Sequence, residues 1–538
     1  MNLSQQRREE SIRKIKEIRE FIARSAQDEN AGRLLTYLSE LEKDVKGKKY
    51  GLVFEEHQEK IDEILKDNAP VLTEQEDLFI DNGGQMNFLI EGDNLAALEL
   101  LLKTHRGKID LIYIDPPYNT GNKDFIYDDN YVDKEDGYRH SKWISFMDKR
   151  LQLAKQLLTN EACILISIND IEQAQLKLLC DRIFGEDNLV GQIIWESTTQ
   201  PVNSGKARIG LQKKTETILF YAKNRDKRLG FILKTIEKEL TYPHTGRFGV
   251  CRFEIIEKSD AGSYRRDTMK FRILGQLPRK GKRWQIGEQT ARKLEEEGKI
   301  EIVDGIVKKA VYPEDEKDKI TFQPFWSLLT SDIAGTALTG KDALNNIMEQ
   351  AIGFDTVKPV ELLIELISHF QSNSTVLDFF AGSGTTGHAV LKLNAEDGGT
   401  RRFILCTNNE NNICRDITYE RIKRVIDKED YAASLKYFKI DFVRISERLY
   451  YEYADELLLH IRELVELENG VNFRNNSEIA IVLTDEELDA FMENRSALKA
   501  CKALYVGHDV LINGRQSAAL KRRKIAVNVI PQYYYEES

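Results

Sequence analysis

The chain has 538 residues, is 41% hydrophobic and 31% charged, and carries a formal net charge of −10. That length predicts two to four domains with ample core, and the balance is that of a soluble globular protein, not a disordered or fibrous one. Apolar runs of strand length exclude a membrane-spanning helix, the first residues lack the apolar stretch of a signal peptide, and six cysteines (Cys163, Cys180, Cys251, Cys406, Cys414, Cys501) without paired spacing point to a reducing cytosol, not to a zinc or disulfide framework.

Residues 1 to about 75 predict helices, with apolar stripes at Ile12, Ile15, Ile18 and Ile22 and at Leu34, Leu38, Leu41 and Val45. Asn87 to Glu91 is a short strand ending in Gly92-Asp93, and Asn94 to Lys103 is a helix that Asp93 or Asn94 can cap. Ile109 to Ile114 is an apolar run that reads as a buried strand. Strand, helix and strand at this spacing form a βαβ unit. Asp115-Pro116-Pro117-Tyr118 follows, and two prolines stop the strand because neither donates a backbone N–H. Asp115 therefore stands at the carboxyl edge of a sheet, where open α/β sheets bind ligands. Asp93, at the same edge, is either a helix cap or a ligand contact.

Asn122 to Ser141 reads as a long loop beside this edge, a candidate lid. Trp143 to Leu158 is a helix, Ala162 to Ile168 a buried strand, Gln173 to Phe184 a helix, with further strands near Leu189 to Trp195 and Thr217 to Tyr221. From about 225 to 345 the alternation stops, which marks an inserted domain. Residues 201–300 hold 24 Lys plus Arg against 12 Asp plus Glu, leaving the rest of the chain at −22. A basic segment in an acidic chain, interleaved with Tyr242, Phe248, Phe253, Tyr264, Phe271 and Trp284, suits nucleic acid; the aromatics equally suit a small β-rich core. The pattern then resumes: a helix from Val360 to Phe370, a strand Thr375 to Phe380, the loop Ala381 to Gly387, a helix His388 to Leu393, a strand Arg402 to Thr407 and a helix Ile417 to Asp427. Acidic helices between Glu447 and Glu468 precede a small tail with strands at Ile479 to Leu483 and Ala503 to Val506, and a basic cluster Lys521 to Lys524 that reads at least as well as a solvated helix face.

Gly382, Gly384 and Gly387 satisfy G-x-G-x-x-G between a strand and a helix, where absent side chains let a ligand approach the backbone. Glu410 at the next strand end can hold a ribose, so the pair indicates an adenosine cofactor without saying which. Asp378, just before the loop, can hold an ammonium. NAD has none and S-adenosylmethionine does. Asp-Pro-Pro-Tyr supplies the complementary half. An exocyclic amino nitrogen is a poor nucleophile because its lone pair is delocalised into the ring. Asp115 and the Pro116 carbonyl can accept its two hydrogens and free that lone pair, while Tyr118 stacks on the base. A paired base cannot reach such a pocket and has to be flipped out, at a cost of roughly a few kcal/mol. Catalysis is then orientation and electrostatics without a metal.

Asp115-Pro116-Pro117-Tyr118 and Phe380-Ala381-Gly382-Ser383-Gly384 resemble the catalytic and cofactor motifs of amino-group DNA methyltransferases. The catalytic motif comes first and the basic insert lies between them, an order that resembles the circularly permuted beta class. Longer stretches (Ile90 to Leu95, Ile112 to Gly121, Phe354-Asp355-Thr356-Val357-Lys358-Pro359, Leu504 to Gly507 and Ile530 to Tyr534) are similar to the modification (Mod) subunits of Type III restriction–modification systems, over roughly residues 50 to 538. The resemblance implies an α/β fold: a Rossmann-like, doubly wound, circularly permuted sheet. It implies a helical region at 1–75, a methyltransferase core at 76–224 and 346–440, a target recognition domain at 225–345 and a small α/β domain at 441–538. It implies that Asp115, Pro116, Pro117 and Tyr118 engage the base, and that Phe380, Ala381, Gly382, Ser383 and Gly384 line S-adenosylmethionine. Asp378 is then placed near its methionine, Glu410 near its ribose, and Asp93 and Lys358 near its adenine and methionine ends. It further implies double-stranded DNA, a homodimer and a helicase–nuclease restriction subunit as partners. The strand before Glu410 ends in Cys-Thr-Asn-Asn, where the family more often has an apolar or Gln-containing ending, and the chain is short for the family.

The expected activity is N6-adenine methylation. Its rivals are N4-cytosine methylation on the same fold, for which the family more often carries Ser in place of Asp115, and a DNA-recognition subunit serving a nuclease. An NAD-dependent oxidoreductase is a distant third, since its chemistry has no use for Asp-Pro-Pro-Tyr.

Overall fold

The computed structural model describes residues 3–24, 34–39, 41–42, 54–121, 126–127, 130–133, 135–200, 210–226, 229–236, 240–261, 266–317, 321–354, 356–473 and 476–535. The expectations for Val45, Tyr264 and Asp355, and for 122–125, 128–129 and 134 of the candidate lid, lie outside these residues. Two compact units emerge, one comprising Met1–Ile232 with Trp326–Ser538 and the other Leu233–Phe325.

The first unit is built on a ten-stranded sheet. Numbered along the chain, its strands are β1 (Asn68–Glu74), β2 (Gln85–Glu91), β3 (Ile109–Ile114), β4 (Leu158–Ile168), β5 (Leu189–Glu196), β6 (Thr215–Ala222), β7 (Leu328–Leu329), β8 (Thr375–Asp378), β9 (Arg402–Thr407) and β10 (Ala433–Arg444). Their spatial order is β1-β10-β2-β9-β8-β3-β4-β6-β5-β7. The six strands from β10 to β4 run parallel, and β6 enters antiparallel beside β4. Successive strands step outward from the centre in opposite directions, β3 to β4 on one side and β8 to β9 on the other. The sheet is therefore doubly wound, with its switch point between β3 and β8. The half that begins at β3 precedes the half that begins at β8, which is the permuted order.

The central strands are apolar on both faces because helices cover both. Ile109, Leu111, Ile112 and Ile114 of β3 are all 0% exposed, and such burial is worth roughly 1.5–3 kcal/mol per side chain. The covering helices include α1 (Asn94–His105), α2 (Arg139–Leu157), α3 (Gln173–Phe184), α4 (Val360–Ile367), α5 (Thr385–Asp397) and α6 (Glu420–Glu429). A backbone N–H of Thr375 donates to Asp110 Oδ2 at 2.9 Å and fixes β8 against β3. Among the described residues no helix is long and apolar enough to cross a membrane.

Three stretches differ from the sequence reading. Residues 1–75 are not helical throughout: Asn68–Glu74 is the edge strand β1, paired antiparallel with β10. Pro70 is tolerated there because an edge strand has a side without ladder bonds. The candidate lid contains the short pair Ile126–Tyr127 with Asn130–Tyr131, and α2 begins before its end, at Arg139. The helix expected from Ile417 begins as a π-helical turn over Ile413–Tyr419 and becomes α-helical at Glu420.

The second unit holds a four-stranded antiparallel sheet in the order His244–Gly246, Gly249–Ile255, Ile306–Val311, Ile300–Val303. Beside it stand a ribbon of Glu257–Ser259 with Lys282–Trp284 and a helix Glu288–Glu296. Trp284 is 0% exposed, packs with Ile256, Ile273, Ala291, Ile300 and Val307, and donates its indole N–H to the Phe271 carbonyl at 2.7 Å. That aromatic is core, whereas Phe248 is exposed. Towards the end of the chain, Ile479–Val482, Ala503–Gly507 and Ala526–Ile530 form a three-stranded parallel sheet within the first unit.

Candidate active site

β3 delivers Asp115 at the switch point, and the prolines turn the chain over the sheet edge. The Trp143 indole N–H of α2 donates to the Pro117 carbonyl at 2.7 Å, which anchors the turn. Asn119 is fully buried in the left-handed region at φ 54°. Its amide donates to Glu172 Oε1 at 2.6 Å and to the Arg139 carbonyl at 3.2 Å. His140 Nδ1 meets the same Glu172 oxygen at 2.6 Å. Burial raises the Glu172 carboxyl above the ordinary range, against the pull of Asn119 and His140.

Lys358, on the segment before α4, joins this turn from 240 residues away in sequence. Its Nζ donates to Asp115 Oδ2 and to the Tyr118 hydroxyl, each at 2.8 Å. The Tyr118 hydroxyl donates to Glu216 Oε2 at 2.9 Å, and Lys358 lies 3.4 Å from that same oxygen. Burial opposes the Lys358 charge, but Asp115 and Glu216 outweigh it and hold the ammonium above the usual lysine range. Burial, Asp115 and Glu216 together keep Tyr118 a neutral phenol. Asp115 Oδ1 is buried with no hydrogen-bond partner among the described residues.

β8 ends at Asp378, which is 2% exposed. Its carboxylate accepts from the Thr386 hydroxyl at 2.5 Å and from the Phe380 N–H at 3.0 Å. Burial, aided by the charge of Asp115, overcomes those donors and raises the Asp378 carboxyl to about 7. The loop then turns through Gly382 at φ 49° and Gly384 at φ 75°. A side chain on Gly384 would meet Thr418 at 3.2 Å, while one on Gly382 would stand in open space, with only the Phe380 carbonyl oxygen within 4 Å, at 3.8 Å. The two glycines thus serve different ends, close packing at Gly384 and an uncovered backbone at Gly382.

Both stretches face one cavity of about 430 Å³, a size normal for small-molecule sites. Asp115, Pro116, Pro117, Tyr118, Lys358, Asp378, Phe380, Ala381, Gly382 and Ser383 line it, joined by Thr356, Thr385 and Thr386. Three candidates stand off its wall. Gly384 sits behind it as the first residue before α5. Asp93 caps α1, accepting the Leu95 N–H at 2.7 Å, with Arg150 3.6 Å away. Glu410 is exposed on a short helical turn after β9. Glu216 is a participant that the sequence reading missed. It opens β6, and because β6 is antiparallel its beginning lies at the edge where β3 and β8 end; nothing in a single apolar run states a strand's direction.

A sheet doubly wound about a glycine-loop cavity, with a carboxylate-and-tyrosine grip at the switch point, defines an α/β protein with a ligand-sized site at the carboxyl edge of its sheet. The chain belongs to the N6/N4 DNA methylase family, whose model (N6_N4_Mtase, DNA methylase) matches residues 109–420. It is 31% identical over 392 residues to the Type III restriction-modification enzyme StyLTI Mod subunit of Salmonella typhimurium, covering 65% of this chain and 58% of that one. It is 29% identical over 432 residues to the EcoP15I Mod subunit of Escherichia coli, covering 65% and 64%. The Type II methyltransferase M.KpnI of Klebsiella pneumoniae is 31% identical over 388 residues, 65% of this chain and 90% of that one. The chain thus spans about three fifths of the length of the two Type III relatives.

Proposed function

We propose that the chain is an S-adenosylmethionine-dependent DNA methyltransferase that modifies the N6 amino group of adenine, as the modification subunit of a Type III restriction–modification system. The observation that carries this reading is the single cavity lined by both Asp115–Tyr118 and Phe380–Ser383. Its charges fit the cofactor. Asp115 and Asp378 line the cavity with one cation, Lys358, which is already paired with Asp115 and with Glu216, so the site favours a ligand carrying positive charge, and Gly382 leaves the backbone open for it to lie against.

When bound, S-adenosylmethionine supplies an electrophilic methyl group on a sulfonium. Asp378 would hold its ammonium, and Phe380 to Ser383, which line the same cavity, would contact it. The unpartnered Asp115 Oδ1 accepts one N–H of the target amino group and the Pro116 carbonyl the other. Held in this way the amino group would keep its lone pair free of the ring, and the Asp115 carboxylate would stabilise positive charge developing on nitrogen. Tyr118, its hydroxyl fixed between Lys358 and Glu216, offers its ring to a flipped base. The names of the Mod relatives support a restriction–modification setting; a homodimer and a helicase–nuclease partner belong to the same proposal, and six buried, unpaired cysteines suit a reducing cytoplasm.

Incubation with methyl-labelled S-adenosylmethionine and double-stranded DNA, followed by nucleoside digestion, tests the reading. N6-methyladenine is expected, with transfer abolished and DNA binding kept in Asp115→Ala. Label in N4-methylcytosine would move the assignment to the other base, and undiminished transfer by Asp115→Ala would overturn the mechanism.

A further inference from the structure

Arg421 projects from the first turn of α6 and is 0% exposed. Its Nη1 donates to the Ser383 carbonyl at 3.2 Å, to Ser383 Oγ at 3.2 Å and to Thr385 Oγ1 at 2.8 Å. Its Nη2 lies 3.4 Å from His388 Nδ1, and its Nε has no partner. Every one of these contacts is neutral. Burial pulls the His388 imidazolium down to about 3, with Arg421 adding to the effect, so that ring carries no charge at neutral pH. Among the described residues no carboxylate comes within ion-pair distance of Arg421. Burial lowers the guanidinium to about 9, opposed by the more distant Glu361 carboxylate, so it stays charged. A cation taken out of water with no carboxylate in contact is costly, and an anionic ligand held nearby would offset that cost.

The hydroxyls show where that anion sits. Ser383 Oγ and Thr385 Oγ1 lie 3.1 Å apart, and both accept from Arg421. One hydroxyl gives its proton to the other; the second hydroxyl proton has no acceptor among the described residues. Both residues line the cavity, and Arg421 does not. The residue before α5 is Gly384, which has no side chain to cap the helix, so the helix start adds its own positive end at this place. Asp378 lines the same cavity. Once ionised it opposes a phosphate, but it complements an ammonium carried beside a carboxylate.

We propose that Arg421 is a positioning residue for the α-carboxylate of the cofactor, acting through the hydroxyls of Ser383 and Thr385. The inference rests on the S-adenosylmethionine reading and deepens it: the amino-acid end of the ligand is met as a zwitterion, its ammonium by Asp378 and its carboxylate by the Arg421-backed hydroxyls.

Calorimetric titration of the full chain with S-adenosylmethionine and with decarboxylated S-adenosylmethionine decides it. Arg421→Gln is expected to lose about tenfold or more in affinity for the first ligand, the scale of a hydrogen bond to a charged group, and to stay within about twofold for the second. Arg421→Lys restores part of the loss. Equal weakening of both ligands, or no weakening of the first, overturns the proposal. Thr385→Val removes one of the two hydroxyls while keeping the guanidinium, and it decides the matter if Arg421→Gln does not fold: the same selective loss supports the proposal and an unselective one sinks it. A wild-type chain that binds neither ligand overturns the cofactor reading itself, and the proposal with it.

Discussion

Asp378 and Asp115 stand at neighbouring strand ends, yet their surroundings give them different tasks. Asp115 has Lys358 as a direct partner, whereas Asp378 has only neutral donors and is pushed up to about 7. A ligand ammonium binds the ionised form of Asp378, and that form is depleted below pH 7. Affinity for S-adenosylmethionine is therefore expected to fall between pH 7 and pH 5, by up to about tenfold per unit, and Asp378→Asn should flatten the profile; a wild-type profile already flat would refute the assignment. Stability of the ligand-free chain runs the other way. A carboxyl raised in the folded state binds its proton more tightly there than in the unfolded chain. Its contribution is thus complete below the unfolded value near 3.8 and is lost as pH rises through about 7. Lys358 gives a second test at this scale. Lys358→Met leaves Asp115 and Glu216 facing each other without their cation, and breaking a buried pair in this way costs about 3–5 kcal/mol. Urea denaturation should show that loss, with part of it recovered in Lys358→Met/Asp115→Asn, because the second change removes one of the stranded charges. A double variant no more stable than Lys358→Met would show that charge is not the cause.

The elements that carry the motifs were legible because their sequences are locally consistent. β3 and β8 are short apolar runs ended by Pro-Pro and by a glycine loop, and no other local structure suits them. β1 and β10 were missed for the opposite reason. β1 contains Pro70, and β10 interleaves Lys436, Lys439 and Asp441 with its apolar residues; Lys436 is buried only because Glu74 and Glu466 reach it from distant parts of the chain. Those partners are set by tertiary packing, which no window of sequence contains. The same holds for the turn after Tyr118, where Asn119 owes its left-handed backbone to Glu172 and its partner His140. Asparagine tolerates this region and alanine does not, at roughly 1–2 kcal/mol. Asn119→Gly is expected to keep the melting temperature closer to wild type than Asn119→Ala, since glycine adopts the same backbone freely. Both variants should lose turnover, because neither ties the Asp115–Tyr118 turn to Glu172. Wild-type turnover in Asn119→Gly would show that the tie to Glu172 has no part in catalysis.

At the scale of the molecule, the basic excess of residues 201–300 is less concentrated than a simple count conveys. The Leu233–Phe325 unit has 20 Lys plus Arg against 16 Asp plus Glu, and much of that charge is paired internally. Arg252 holds Glu254 and Glu316, Arg279 holds Glu257, Arg292 holds Glu288 and Glu295, and Lys299 holds Asp315. These pairs build the unit and leave little net charge for a polyanion. Arg247, Lys258 and Lys280 differ: they are exposed, and among the described residues no carboxylate lies within ion-pair distance of them. A DNA interface on this unit has to draw on such unpaired bases, since breaking an internal pair to meet a phosphate gains little. Replacing the three by alanine is therefore expected to weaken DNA binding and to flatten the dependence of log K on log salt by about 0.9 for each phosphate no longer neutralised. S-adenosylmethionine affinity should not change, because none of the three lines the cofactor cavity. The same substitution at the paired Arg292 serves as the contrast and should leave the salt slope near wild type. A slope unchanged in the triple variant would move the search for the DNA-binding surface to the basic residues that precede Leu233.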